Sequence, residues 1–419
     1  MTSHERVMMA LNHEEPDRVP LDLGSSLVNS IHAQTLHHLR ERLGLDRHTV
    51  KIAEVVQMLG EVELDVVERL QCDVLPVDNL SLDVMCADNL DLRTETRVGE
   101  RRPFRLYDGT EVMSPPDFDV ELSEDGTDWL LFRGEGDDRK PFMSMPVDGF
   151  YFDVIGYGDW DPNFVPPPIE KVRESCKRPS ITDESLEILA ARAKLLRRET
   201  DKALHLNPMC LGLSYVGNLT DFLCLLAADT DYVAELFMLS AERSCLNVDL
   251  LWEAVGEDAD LVFLTGLDFG SQRCELMSPE TFDRTYLPAL IMQYEYIHEH
   301  TTWQVFEHSC GSIANIIGGM ADGGLDILNP VQTTAAGMDP AWLKQEFGHQ
   351  LTFWGGGIET QGVLQFGTPE QVREQVAERM SIFKPGGGFV FNPDHNIQPN
   401  TPPENVIAAY EAAIEFGAY

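Results

Sequence analysis

The chain has 419 residues, of which 31 are Lys or Arg and 70 Asp or Glu, giving a formal charge of −39, with 43% hydrophobic and 24% charged residues. These are globular proportions, which exclude disordered and fibrous classes, and the length suits one large α/β barrel as well as two or three smaller domains. So acidic a surface repels phosphate backbones and anionic lipids, which argues against nucleic acid and membranes as partners.

No run approaches the roughly 18 apolar residues of a membrane span. The opening MTSHERVMMALNHEEPDRVP lacks an apolar run followed by a small-residue cleavage site, so a cytoplasmic location is expected. Cysteines 72, 86, 176, 210, 224, 245, 274 and 310 show no CxxC spacing, and Cys224 lies in the apolar run DFLCLLAAD. Reduced, mostly buried thiols are expected rather than a disulfide frame.

Eight short apolar runs occur in chain order, each closing on a polar or Gly-rich break. They are VPLDLG (19–24), CDVLPVD (72–78), ALHLNPM (203–209), DLVFLTGLD (260–268), WQVFEHSC (303–310), LDILNPV (325–331), LTFWGGG (351–357) and GGFVFNP (387–393). Continuous apolar runs of this length suit strands buried on both faces, as parallel strands are. Amphipathic stretches lie between most of them, clearest at 185–200 and at 369–383, where Thr368 is an N-cap and Pro369 opens the first turn. Eight strand–helix alternations predict a (β/α)8 TIM barrel. The rival doubly wound sheet lacks its G-x-G-x-x-G fingerprint, and a P-loop and a G-x-S-x-G elbow are absent too.

Residues 84–170 break the alternation. Asp108-Gly109 and Asp125-Gly126 are strong hairpin turns between alternating segments. The domain reading is a catalytic barrel formed by 1–83 and 171–419, with 84–170 a β-rich insertion between the second and third strands. The insertion is a lid, an oligomer contact or a plain surface excursion.

Reacting groups in such barrels sit at the C-terminal strand ends. Those ends carry Asp22, Asp78, Asn207, Asp268, His308 with Cys310, Asn329 with Gln332, Glu359, and His395 with Asn396. The sharpest signal is His308-Ser309-Cys310-Gly311. Residues two apart on a strand share a face, so an imidazole and a thiolate reach one point, and zinc accepts both donor types. A packed cysteine beside a hydrogen-bonded histidine is the competing reading. No cysteine follows Cys310, so His395 in NPDHNIQP is the leading third donor, with Asp394, Asn329 or Gln332 as other choices and a metal-free hydrogen-bonding wall as its own alternative. Asp268 is a substrate anchor, a general acid or a capping carboxylate.

Several long motifs then resemble one known group. HERVMMALNHEEPDRVPLDLG, HSCGSIANIIGGMADGGLDILNPVQ, LKQEFGHQLTFWGGGIETQ and HNIQPNTPPENV, in that order, resemble the uroporphyrinogen decarboxylase superfamily in its methyltransferase-like branch. The resemblance covers nearly the whole chain outside 84–170 and implies a (β/α)8 barrel. It further implies a zinc-assisted, corrinoid-dependent methyltransferase. His308 and Cys310 match the branch's H-x-C zinc ligands, and His395 stands where its later cysteine is expected, giving a His–Cys–His metal set. A family Glu ligand after the sixth strand has no match, since Asn329, Val331 and Gln332 occupy that stretch. The decarboxylase branch fits less well, because its Arg-rich N-terminal segment has no counterpart in 1–50.

The function expected is methyl transfer between a small O-, N- or S-methyl compound and a separate corrinoid protein carrying methylcobalamin. Asp268, His308, Cys310 and His395 are the candidate catalytic residues. Asp22, Asn207, Gln272, Asn329, Gln332, Glu359 and Asn396 are the candidate substrate-orienting residues. A metal-free decarboxylase and a non-catalytic binding barrel are the alternatives, and a homo-oligomer is left open.

Overall fold

The computed structural model describes residues 1–419 except 47, 78–99, 117 and 135. In chain order the strands are β1 (Val50–Glu54), β2 (Leu59–Gly60), β3 (Val74–Pro76), β4 (Arg102–Arg105) and β5 (Glu111–Ser114). There follow β6 (Val120–Leu122), β7 (Asp128–Arg133), β8 (Lys140–Pro146), β9 (Asp153–Val154) and β10 (Ala203–Leu206). The last five are β11 (Leu261–Gly266), β12 (Gln304–His308), β13 (Ile327–Asn329), β14 (Thr352–Trp354) and β15 (Phe389–Val390).

β3 and β10 to β15 form one parallel sheet whose strands lie side by side in sequence order. Each falls inside one of the apolar runs. The run at 19–24 supplies the eighth stave, but as a single bridge rather than a ladder strand. Leu21 pairs in parallel with Phe391, and Phe391 N donates to Pro20 O while Asp22 N donates to Phe391 O, both at 2.9 Å. On its other side Asp73 N donates to Leu21 O at 2.7 Å. The ladder stops there for two reasons. Pro20 has no N–H to give, and the Leu21 N–H is taken by the Asp73 carboxylate at 2.9 Å instead of a backbone carbonyl. The ring is closed, and the fold is a (β/α)8 barrel.

Alternation along the strands separates two cores. Val74, Ala203, Leu261, Phe263, Phe306, Ile327, Trp354 and Val390 point inward, where Val7 and Leu11 of the helix Ser3–Leu11 join them. That helix plugs the end where the strands begin: its Arg6 and Ser3 bond to Asp73, which directly precedes β3. The opposite end is therefore the open mouth. The outward-facing residues pack under the surrounding helices, among them Asp183–Glu199 and Pro369–Phe383, the latter opened by a Thr368 capping box with proline in its first turn.

Between β3 and β10 the described part of the insertion is β-rich. Its strands order β6-β7-β8-β9 in one sheet and β2-β1-β5-β4 in the other. The second sheet recruits β1, a strand the sequence pattern does not announce, through a parallel pairing of Val50 and Lys51 with Val112 and Met113. Gly109 and Gly126 take positive φ, +90° and +75°, at the two expected hairpin turns. Beyond β8, Tyr151 Oη donates to Gln398 Oε1 at 2.6 Å, and Leu219 N donates to Tyr157 O at 3.2 Å, so this segment runs along the rim of the mouth.

Among the described cysteines, seven are free thiols, four of them buried. Cys224 departs from expectation and is exposed, because its helix, Leu219–Ala228, buries Phe222 and Leu226 on the other side. Among the described residues no helix is long and apolar enough to cross a membrane.

Candidate active site

The barrel interior sets which side chains reach the mouth. On β12, Phe306 faces the inner core, so His308 two residues on faces the mouth, while Glu307 between them turns outward to the hydroxyl of Tyr294. By the same parity Asn329 follows Ile327 on β13. The Asn329 Nδ2 donates to Trp354 O at 2.8 Å, and its Oδ1 lies 2.7 Å from His308 Nδ1. His308 is buried, and Ser309 beneath it is held by Asn329 O through its N–H and by Phe269 N through its hydroxyl.

Cys310 stands just past the strand, with its N–H donating to Asp268 Oδ1 at 3.0 Å. Gly311 lets the chain turn away. Its φ is +87°, and a Cβ there would stand 2.5 Å from Gly270 O. Its N–H is received by Gln332 Oε1 at 2.8 Å.

His395 follows β15. Its ring meets that of His308 edge to face, with centroids 6.2 Å apart. The ligand atoms of His308, Cys310 and His395 all lie within 4.8 Å of one another. Burial lowers the pKa of both imidazoles, His395 to about 4 with a further contribution from His308. Burial pushes the Cys310 thiol up, and the Asp268 carboxylate pushes it further. Two neutral imidazoles and a thiol are the donor set of a zinc-type site. His308 fits the role closely, because Asn329 occupies Nδ1 and leaves Nε2 turned toward the group. In His395 the Nδ1 accepts from Asn396 N at 2.8 Å, a contact that gives way if Nε2 takes a cation and the ring proton moves to Nδ1. With that adjustment, and with the Cys310 proton released on binding, the residues fit a metal ion.

Of the other expected residues, Asp268 lies at the same point, its Oδ1 3.6 Å from His308 Nε2 and its side chain 51% exposed to the mouth. Its capping of Cys310 N and its approach to His308 hold together, so the cap reading and the acid reading describe one placement. Gln332 and Asn329 adjoin the group but spend their amides on Gly311, His308 and Trp354. Gln272 is exposed on the neighbouring loop, where its carbonyl accepts from Ala336 N at 3.1 Å. Glu359 is half-buried at the start of the turn that follows β14, its N–H bound to Gln375 Oε1 at 3.0 Å. Asp394 is buried and accepts from Thr360 N and Oγ1 at 2.9 and 2.7 Å, with burial raising its pKa to about 6. Asp78 lies outside the described residues.

Three of the expected residues belong to the floor and walls. Asp22 is fully buried, accepts from Ser25 Oγ and Trp354 Nε1, each at 2.9 Å, and from Asn29 Nδ2, and burial raises its pKa to about 7. Asn207 donates to Ser25 O at 3.0 Å and to His205 O at 3.1 Å. Asn396 spends its amide on Ser30 N, Leu27 O and Gln57 Oε1. The sequence reading misses Ser25, Asn29, His205 and Trp354, which build this polar floor. Inward parity of His205, two residues before Asn207, is the signal that points to it.

A family model described as Uroporphyrinogen decarboxylase (URO-D) matches residues 153–416. Among curated proteins, a uroporphyrinogen decarboxylase of Pseudoalteromonas translucida (strain TAC 125) is 44% identical over 52 residues, which are 12% of this chain and 15% of that protein. The matched stretch thus spans about 15% of that relative's length. Among solved structures, a methyltransferase from Methanosarcina mazei is similar with a TM-score of 0.56 over 99% of both chains, at 16% identity. At that identity the likeness is one of fold.

Proposed function

The chain belongs to the uroporphyrinogen decarboxylase family, a family of enzymes, and from that premise we propose that it is a methyltransferase moving a methyl group between a small methylated compound and a separate corrinoid protein. The observation that carries this reading is the convergence of His308, Cys310 and His395 at the barrel mouth. The description of the Methanosarcina mazei neighbour as a methyltransferase is in line with it.

In this reading His308, Cys310 and His395 hold a zinc ion. When bound, zinc supplies Lewis-acid polarisation of the leaving heteroatom. The chain's own residues do the rest. Asn329 fixes the orientation of His308, and Gln332 pins the Gly311 turn so that Cys310 faces the mouth. Asp268, half-exposed beside both, moves a proton at its carboxylate to or from the heteroatom that loses the methyl group. The bond from heteroatom to methyl carbon would break with its electron pair staying on the heteroatom, and a reduced corrinoid on the partner would supply the pair that accepts the methyl group. The insertion segment along the rim, tied by Tyr151 to Gln398, shields the substrate from water as a lid or seats the partner.

A decarboxylase reading that uses Asp22 gains no specific support. Ser25, Asn29 and Trp354 occupy its carboxylate, and it is closed to solvent.

The test is metal analysis of the purified chain together with free cob(I)alamin as methyl acceptor and a panel of methoxy, methylamine and methylthiol compounds. One equivalent of zinc, with methylcobalamin formed from one of the panel in a zinc-dependent way, is the expected result. If no stoichiometric metal is found, and added zinc neither binds nor alters turnover, the zinc-assisted transfer is wrong and the three residues are a hydrogen-bonding pocket.

A further inference from the structure

A second set of metal-type donors lies on the outer surface, away from the mouth. His37, His38 and Glu41 share the helix Ala33–Leu43, and their ligand atoms lie within 4.8 Å of one another. The spacing explains the meeting: Glu41 is four residues after His37 and three after His38, so its carboxylate lies against both imidazoles. The His38 ring stands between two carboxylates, its Nδ1 3.9 Å from Glu41 Oε2 and its Nε2 3.7 Å from Asp108 Oδ2. Both separations exceed a hydrogen bond. Two donors about 2.0–2.2 Å from one tetrahedral ion stand roughly 3.4 Å apart, so a small side-chain rotation brings His38 Nδ1 and Glu41 Oε2 to that spacing, with Asp108 an outer partner on the other ring nitrogen.

Asp108 is held in place on both oxygens, including Oδ2, the one that faces His38. It accepts from Gln34 Nε2 at 2.7 Å, Thr110 N at 3.0 Å and Thr110 Oγ1 at 2.9 Å, at the hairpin turn between β4 and β5. A cavity of about 240 Å³ opens beside the helix on the side of His37 and Glu41, lined also by Asp46, His48, Glu111 and by Arg40, whose guanidinium is paired with Asp65. A chain carrying a formal charge of −39 also draws cations to its surface.

We propose that His37, His38 and Glu41, with Asp108 facing them, form a second site that binds a divalent transition-metal ion at the seam between barrel and insertion. Two imidazoles with carboxylates select the zinc, nickel and copper class over magnesium and calcium, which take all-oxygen shells. All three ligands belong to one barrel helix, and Asp108 of the insertion's hairpin backs the site through the other ring nitrogen of His38. The site is independent of the group at the mouth.

The experiment uses the full chain carrying Cys310→Ala and His308→Ala, stripped with chelator and titrated with Zn2+ by calorimetry in excess Mg2+. One equivalent of zinc is expected to bind in that background. Adding His38→Ala or His37→Ala should weaken it by more than the roughly 10–100-fold that loss of an outer-shell partner costs, while Asp108→Asn produces a smaller loss. These three residues are on the surface, and circular dichroism checks that each variant is folded. If the double variant takes up no zinc against Mg2+, or takes up the same amount with and without His37 and His38, the second site does not exist. Neither outcome depends on whether the mouth binds metal.

Discussion

Asn329 holds His308 in a single tautomer. Its Nδ2 donates to the Trp354 carbonyl, which an amide oxygen cannot do, so its Oδ1 is turned toward His308 Nδ1 and that ring nitrogen carries the proton. The lone pair of Nε2 then faces the mouth. Asn329→Ala is expected to leave the barrel folded and to weaken zinc binding by about 10–100-fold, read by competition against a chelator. An affinity equal to the parent's would mean that His308 is oriented by something else, or is no ligand.

Cys310 lies past the end of its strand and outside the packed interior, so the fold does not rest on it. Cys310→Ala should abolish bound zinc at the mouth and turnover together, with a thermal midpoint close to the parent's. Elemental analysis and a melting curve on the same preparation are sufficient. Full turnover in this variant would remove the thiol from the chemistry.

Acid should destabilise the protein through its buried imidazoles. Burial lowers the pKa of His205 to about 3 and of His32 to about 4. In the unfolded chain both take up a proton near pH 6.5. Between those values the unfolded state holds more protons, so stability falls as pH drops below about 6.5. His205 packs against Phe263, Phe306 and Trp354, which makes His205→Phe a variant the cage can accept. Urea unfolding at several pH values should show a shallower acid limb for that variant, and an unchanged slope would assign the effect elsewhere.

Gly311→Ala sets a Cβ against the Gly270 carbonyl and forces a left-handed backbone on a residue that resists it. Strain of this kind costs about 1–3 kcal/mol, and the close contact adds to it. A lowered denaturant midpoint is expected, with weaker zinc binding at the mouth because Gln332 loses its grip on the turn. A midpoint equal to the parent's would show that the 268–275 loop yields freely.

The barrel was legible because a parallel strand buried on both faces writes itself as an apolar run, and all eight runs became staves. The first was legible only as a run. Its shortness comes partly from Pro20, which is visible in the run, and partly from Asp73, a side chain supplied by another part of the chain, which no local pattern reveals. The group at the mouth was legible for the same reason in reverse. His308 and Cys310 are two apart on one strand, so their meeting is a local fact, whereas the approach of His395 depends on closing the ring. Asp22, Asn207 and Asn396 have the right chemistry and the right address, yet their hydrogen-bonding atoms are engaged by Ser25, Trp354, Leu27 and Ser30. A polar residue at a strand end faces the ligand or braces the loops, and which of these it does is set by tertiary partners. The cluster at His37, His38 and Glu41 passed unnoticed because neighbouring polar residues on an exposed helix read as ordinary solvent-facing surface.

The bridge from Leu21 to Phe391 joins segments 370 residues apart in sequence (391 − 21). During synthesis the first stave has no partner on that side until the chain as far as Phe391 has followed it. Contacts this distant in sequence form late and slow the assembly. Throughout that wait the segment is an unpaired edge that a neighbouring nascent chain can capture. Pro20 has no N–H to offer such an intruder, and the Leu21 N–H is bound to the Asp73 carboxylate once β3 arrives. The same traits that shorten the stave protect it while the ring is incomplete.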